Sequence, residues 1–391
     1  MIQFSEAFEI VKSSVIVLED EKLSIYNAVG RVLAEDIHSD MNMPPFNKSA
    51  VDGYACRRED IENELTLLEI VPAGKVPTKT VEKNQCSKVM TGAPVPDGAD
   101  VVFMVEHAEE TSTGKVHCNK IPGKSNISLL GEDIKENDLV LTKGTLLKPP
   151  HIAVLASVGC FEPLVKRLPI VAIISTGDEL VEPNEKPTVG QIRNSNATQL
   201  FAQVSQCGAV AKYIGIAKDN PESTNQIIST ALEQSDIILL SGGVSMGDFD
   251  FVPQILAEKG IDLKFKTIQV QPGKPTVFGT RDQQFFFGLP GNPVSSFVQF
   301  ELLVKPLIRA LQGSAYEAEI IRLPMGTDYS RKRTERKSFI PVQITTEGTV
   351  VPVDYHGSAH IHSYVFAEAI THIEIGEKEI KKGQLVDVRL L

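Results

Sequence analysis

Short carboxylate- and glycine-bearing segments recur through the middle of this 391-residue chain. Ser175-Thr176-Gly177-Asp178-Glu179 ends one apolar run, Asp219 follows the next, and Ser241 leads into Gly242-Gly243-Val244-Ser245-Met246-Gly247-Asp248-Phe249-Asp250. Glycines directly after a strand let backbone N–H groups approach phosphate oxygens, and Ser241 and Ser245 add hydroxyl donors, so the segment reads as an anion cradle. Glu179, Asp219 and Asp250 could meet at one sheet edge, where hard oxygen ligands hold Mg2+ between protein and phosphate. Each of these residues, taken alone, reads more simply as a turn or a helix-capping carboxylate. Their recurrence at successive strand ends is what points to a site.

Further along, Gln271-Pro272-Gly273-Lys274-Pro275 fixes the backbone on either side of one cation, and Lys274 can meet a phosphate or another oxyanion as a point charge. Leu289-Pro290-Gly291-Asn292-Pro293-Val294-Ser295-Ser296 ends another strand and opens a long helix reaching about Leu311; alone it reads equally well as a proline-rich turn. Asn47 to Ala55 and Met90 to Pro94 are polar, turn-like stretches between apolar flanks. His356, His360 and His362 lack thiols or a carboxylate at ligand spacing and read as structural, with His360 and His362 on one strand face. The basic run Arg331-Lys332-Arg333 with Arg336-Lys337 reads as a solvated hairpin.

The elements that must position these residues fall into four blocks. Phe4, Ala7, Phe8, Val11 and Val15 have helical spacing, with Ser5 placed to cap. Pro149-Pro150 pre-set the first turn of a helix over Ile152 to Val158. Residues 1–40 and 131–165 are expected to form one discontinuous N-terminal domain interrupted by a β-rich module at 41–130, which carries runs such as Leu65 to Val71 and Val101 to Val105. From Pro169, continuous apolar strands (Ile170 to Ser175, Val210 to Ile216, Asp236 to Ser241) alternate with amphipathic helices (Ala197 to Gln206, then Pro221 to Glu233 behind Asn220). That pattern requires a parallel sheet covered on both faces, so 166–314 is expected to be a doubly wound α/β domain. Residues 315–391 read as a small C-terminal β domain. The fold class is therefore multidomain α/β plus β.

Totals narrow the functions. A formal net charge of -11 disfavours nucleic acid and anionic membrane as partners. Five separated cysteines without a CxxC pair argue against zinc and disulfides, and fit a reducing compartment. The first residues lack the pattern of a signal peptide, and no apolar run is long enough to span a bilayer, so a soluble cytoplasmic protein is expected.

Taken together, Asn47 to Ala55, Met90 to Pro96, Gly131-Glu132-Asp133, Ser175 to Leu180, Ser241 to Asp250, Pro272 to Pro275 and Leu289 to Ser295 resemble, in order, the signatures of the molybdopterin molybdenumtransferases, the family of bacterial MoeA and the gephyrin E domain. The resemblance implies an enzyme that takes adenylylated molybdopterin and molybdate as substrates, inserts the metal at the dithiolene, and releases AMP with Mg2+ assistance. It implies a homodimer in which Asp52 and Thr91 reach the site across the subunit interface. By the same carry-over, Asp133, Glu179, Asp219 and Asp250 match functional carboxylates, and Lys274, Pro290 and Pro293 match further pocket positions. Transfer contacts with an adenylyltransferase and with apo-molybdoenzymes are implied as well. Many relatives carry a second lysine just before PGKP; Gln271 stands there in this chain, which leaves molybdate against tungstate open. The rival readings are a molybdopterin adenylyltransferase, disfavoured by residues 1–165 and the β tail, and a non-catalytic scaffold.

Overall fold

The computed structural model describes residues 1–111, 113–243, 252–314, 320–355 and 357–391. Helix α1 (Phe4–Ser13) buries Ala7 and Val11, the stripe its apolar spacing predicts. Its cap is not Ser5: the helix starts at Phe4, Gln3 holds the N-cap position with no side-chain bond, and Ser5 falls inside the first turn. The Phe4 ring meets Phe339 edge-on at 5.3 Å, so this helix is seated against the C-terminal sheet as well as the central core.

After α1 the chain pairs with segments more than a hundred residues away. Asp20–Lys22 pairs antiparallel with Leu164–Lys166, and Ile37–His38 with Leu139–Leu141. Between them a six-stranded sheet runs Val101–Met104, Gly53–Cys56, Gln85–Val89, Leu65–Val71, Lys115–Cys118, Ala108–Glu110. One face of it is an apolar core containing Tyr54, Cys56, Cys86 and Phe103. Burial pushes the Cys86 thiol up to about 12, which makes it an inert core residue. Helix α2 (Pro149–Ser157) begins at the proline pair, whose missing N–H groups cost nothing in a first turn.

The central sheet is ordered Val210–Ala217, Ile170–Thr176, Ile237–Ser241, Gln284–Leu289, Val277–Arg281, Asp262–Phe265. Its first four strands are parallel, as expected, whereas Val277–Arg281 and Asp262–Phe265 join antiparallel. A tight turn at Asp282, with φ of 52°, returns the chain as a hairpin and leaves no crossover helix there. Successive residues divide between two cores: Val171, Ile173, Leu239 and Phe287 on one face, Ala172, Ile174, Leu240 and Phe286 on the other. This two-sided burial is why the strands read as unbroken apolar runs. Helix α3 (Ser195–Gln206) packs on the first face, and α4 (Pro221–Leu232) and α5 (Val252–Glu258) contribute to the second. Helix α6 (Pro293–Gln299) continues through a π-helical stretch, Phe300–Val304, into α7 (Lys305–Leu311), and all of it feeds the first core.

The last sheet is ordered Val270–Gln271, Lys337–Ile344, Ala369–Ile373, Leu385–Leu390, Ile320–Pro324, with Val350–Pro352 added beside Lys337–Ile344. Val270–Gln271 is borrowed from the chain that leads out of the central sheet, and it pairs in parallel with Lys337 and Ser338. Ile361–Phe366 is a 3-10 helix, so His362 does not lie on a strand and shares no strand face with His360; its ring meets Phe366 edge-on at 5.5 Å. His356 lies outside the described residues. The basic run is only partly solvated, because Arg331 donates to the carbonyls of Arg336, Glu374 and Glu377, although Lys332 and Arg333 are exposed.

Candidate ligand site at the strand ends

In a doubly wound sheet the crevice lies beyond the carboxyl ends of strands whose crossovers run in opposite directions. Here Ile170–Thr176 has Val210–Ala217 on one side and Ile237–Ser241 on the other, so the crevice opens beside Thr176 and Gly242. A cavity of about 700 Å³ lies there. Of the residues expected at the site, Glu179, Asp219, Ser241, Gly242, Gly243, Pro290 and Pro293 line it.

The glycines are required by geometry. Gly242 and Gly243 have φ of 90° and 63°, and a Cβ at either would crowd the Thr176 hydroxyl at 2.9 or 2.8 Å. Side chains around them are locked by hydrogen bonds. Asn196 Nδ2 donates to Ser241 Oγ and to the Gly291 carbonyl, both at 2.8 Å. Asn194 caps α3, with Oδ1 accepting from the Ala197 N–H at 3.3 Å and from Ser175 Oγ at 2.9 Å. Its Nδ2 donates to Tyr213 Oη at 3.1 Å, and that phenol donates to Glu182 at 2.7 Å. Burial and the Glu182 carboxylate both raise the Tyr213 pKa, so the phenol stays protonated.

The carboxylates come from two loops. Glu179 is exposed to the cavity and its carboxylate lies over Gly177, where a side chain would collide with it. The loop carrying Asp219 is latched to the Asp178 loop, since Asp219 N–H donates to Asp178 at 3.2 Å and Asp178 N–H donates back at 3.3 Å. Arg193 is the only Lys or Arg among the described residues lining the cavity. Its Nε donates to the Glu185 carbonyl at 3.0 Å.

Other expected residues stand elsewhere. Lys274 is exposed and does not line the cavity, although Pro275 does. Its loop is held through the backbone: Ile268 N–H donates to the Lys274 carbonyl at 3.0 Å, and Gln299 Nε2 to Pro272 at 3.0 Å. Gln271 Oε1 lies 3.4 Å from Arg336 Nη2, so a cation from the C-terminal sheet stands beside this neutral residue. Asp52 and Thr91 are brought together, the aspartate accepting from Thr91 N–H at 2.6 Å and from its hydroxyl at 2.7 Å. Those bonds, the backbone one first, hold the Asp52 carboxyl below its ordinary pKa. Asp133 is exposed and donates its N–H to the Met43 carbonyl at 3.1 Å. Asp52, Thr91 and Asp133 do not line the cavity of this chain. Ser245 and Asp250 lie outside the described residues, among which no group of three or more His, Cys, Asp or Glu is arranged to hold a metal.

Sequence reasoning missed Arg193, Asn194 and Asn196 as lining residues. Asn194 carried a signal, because asparagine before a helix is a preferred N-cap, but a helix begun at Ala197 left it in the loop. The C-terminal part also closes on the site: Ala359 lines the cavity, Asn292 Nδ2 donates to Ser358 Oγ at 2.9 Å, and Val294 N–H donates to the Ser358 carbonyl at 3.1 Å.

Fold and site together define a multidomain α/β protein with a crevice at the switch point of its central sheet, walled by a glycine turn and two carboxylates. Residues 2–159 match the family description "MoeA N-terminal region (domain I and II)", 172–310 "Probable molybdopterin binding domain", and 322–391 "MoeA C-terminal region (domain IV)". The molybdopterin molybdenumtransferase of Staphylococcus epidermidis is 34% identical over 399 residues, covering 100% of this chain and 95% of the relative. The enzyme of the same name from Staphylococcus aureus is 34% identical over 94% of this chain and 90% of its own. A molybdopterin biosynthesis MoeA protein from Pyrococcus horikoshii superposes with a TM-score of 0.85 at 30% identity, covering 100% of both chains. The chain belongs to the molybdopterin molybdenumtransferase (MoeA) family. No helix among the described residues is long and apolar enough to cross a membrane.

Proposed function

We propose that this protein inserts molybdate into the dithiolene of adenylylated molybdopterin and releases AMP in the last assembly step of the molybdenum cofactor. The observation that carries the reading is the convergence of the Gly242–Gly243 turn with the Glu179 and Asp219 carboxylates on one cavity. Such a turn accepts a phosphate, and carboxylates beside it suit a phosphoanhydride whose charge must be held as it is cleaved.

The donor set suits Mg2+, which is usually held by one or two carboxylates together with substrate phosphates. Neither Glu179 nor Asp219 forms an ion pair among the described residues, so both are available to a hard cation, with Asp250 as the third carboxylate of the proposal. Bound there, the ion would offset charge on the bridging phosphate oxygens. Lys274, presented on a backbone-fixed turn, holds an oxyanion, while Pro290 and Pro293 shape the wall. Asp52, Thr91 and Asp133 would complete a site at the interface of a cytoplasmic homodimer, since they lie away from this chain's own cavity. Molybdate and tungstate remain alternative cargoes, with Arg336 supplying a positive charge beside Gln271.

The test is AMP release from adenylylated molybdopterin and Mg2+, with and without molybdate, with the product scored by reconstitution of an apo-molybdoenzyme. Molybdate-dependent release with reconstitution is expected. Tight binding without release would make the protein a carrier or scaffold, and ATP consumption with molybdopterin alone would place it one step earlier.

A further inference from the structure

Lys274 is exposed, yet the turn that presents it is held from inside the protein: Pro272, Gly273 and Thr276 around it are buried. Three successive carbonyls of this turn are each taken by a donor. Gln299 Nε2 donates to Pro272 at 3.0 Å, Thr276 Oγ1 to Gly273 at 2.7 Å, and the N–H groups of Ile268 and Thr276 to Lys274, both at 3.0 Å. Gln299 and Thr276 are both 0% exposed. Taking an amide and a hydroxyl out of water is costly without partners, and an apolar residue would suit either place in a core. Around Gln299 the helix is apolar, with Val294, Val298 and Phe300 all buried in the first core. In these surroundings the two polar side chains spend their donors on consecutive carbonyls of one turn.

The turn and the crevice share a support. Gln299 is the last residue of α6, and the other end of that helix, with its N-cap Asn292 and Pro293, lines the cavity together with Pro275 of the turn. A side chain at Gly273 would collide with the Gln299 amide, so the glycine lets the helix grip the turn at close range. On the other side, Val270–Gln271 pairs with Lys337 and Ser338 of the C-terminal sheet. A flexible four-carbon stem on a loose loop is a poor anion receptor, whereas a fixed backbone removes part of the ordering cost before the ligand arrives. We propose that Gln299 and Thr276 are positioning residues: by holding the Pro272 and Gly273 carbonyls they set where Lys274 stands beside the crevice, and with it the affinity for the oxyanion substrate. What Lys274 binds is taken from the function proposed above; the grip on its turn is not.

The experiment is a double-mutant cycle on the full chain. Gln299→Met matches the side-chain length without the donor, and Lys274→Ala removes the cation from an exposed position. Molybdate binding is followed by calorimetry, and the KM values for molybdate and for adenylylated molybdopterin are taken from AMP release. Gln299→Met is expected to weaken molybdate by roughly ten- to hundredfold in Kd and KM, the effect of a misplaced group, while the KM for adenylylated molybdopterin stays within about twofold. In the Lys274→Ala background the same substitution should change molybdate binding by less than about twofold, because nothing remains to be positioned. Thr276 repeats the test with its own control: Thr276→Val weakens molybdate in the same way, Thr276→Ser keeps the hydroxyl and the affinity, and this pair decides if Gln299→Met does not fold. Wild-type molybdate affinity in Gln299→Met or Thr276→Val overturns the proposal, as does an equal loss with and without Lys274, the mark of a structural role. A Lys274→Ala protein that binds molybdate as wild type does also overturns it, and leaves the proposed function standing if AMP release persists. If wild type binds molybdate through Lys274 and the cycle holds but no AMP is released, the proposed function fails and the positioning role stands. If wild type neither binds molybdate nor releases AMP, both fall.

Discussion

Thr91 lowers the pKa of Asp52 through two short bonds, and the two can be separated. Replacing Thr91 by Val keeps the N–H donor and removes the hydroxyl, so the Asp52 carboxyl should titrate higher, between its present lowered value and the ordinary value of about 3.9. An NMR pH titration of the Asp52 carboxyl reads this directly. The sign for stability follows: the folded pKa is depressed, so the contribution is present above the unfolded value and disappears as pH falls through the folded one. Glu179 offers the complementary test of chemistry. Glu179→Gln preserves shape at an exposed position, so the melting temperature should stay put while molybdate-dependent AMP release falls by about a hundredfold or more. Retained turnover in that variant would remove Glu179 from the proposed site. Residues of this kind were legible in the sequence because glycine and carboxylate after an apolar run carry a physical meaning wherever they recur. Asn196 was not, since its bonds to Ser241 and to the Gly291 carbonyl join segments far apart in sequence and leave no trace in residue type.

At the scale of elements, the N-terminus of α3 is where one side chain does most. Asn194 caps the helix, receives Ser175 and supports Tyr213, so Asn194→Ala should cost about 1 kcal/mol for the cap. A similar amount is expected for each stranded buried partner, for a total of about 2–4 kcal/mol read from a denaturant melt. The PGKP loop makes a second case. Gly273 has φ of 104° and faces the buried Gln299 side chain, which itself donates to Pro272, so Gly273→Ala should destabilise by at least about 1 kcal/mol and shift the Lys274 turn. Unchanged stability would mean the loop is not gripped as described. The parallel core strands were readable because both faces are apolar, yet the antiparallel hairpin at the sheet edge was not. Val277–Arg281 and Gln284–Leu289 look alike as apolar runs, and the difference is a two-residue turn at Asp282 against a crossover helix. The Val270–Gln271 strand is too short to show any period, so its place in a distant sheet could not be inferred.

Across the whole molecule, one source of acid sensitivity is expected in the C-terminal sheet. His372 has its pKa lowered, chiefly by burial and then by Lys337, against weaker support from Glu374 and Asp387 and further opposition from Arg389. The unfolded chain therefore takes up a proton below about pH 6.5 that the folded chain resists, and stability drops as pH falls through that window. His372→Gln should flatten the dependence of melting temperature on pH between 8 and 5.5, a range that brackets the unperturbed histidine value of about 6.5. An equal slope in wild type and variant would assign the effect elsewhere. The Val270–Gln271 strand has a different kind of consequence. Its residues are continuous in sequence with the central α/β region and are paired with Lys337 and Ser338, and the chain just before them is held by Ile2 bridging to Ile268. Recombination between relatives at the boundary near residue 320 would therefore bring together a seam whose halves come from different parents. What is inherited as a unit is the Val270–Gln271 strand with its partners, so a hybrid that exchanges 322–391 should work only when residues 266–275 and the first residues of the chain travel with it.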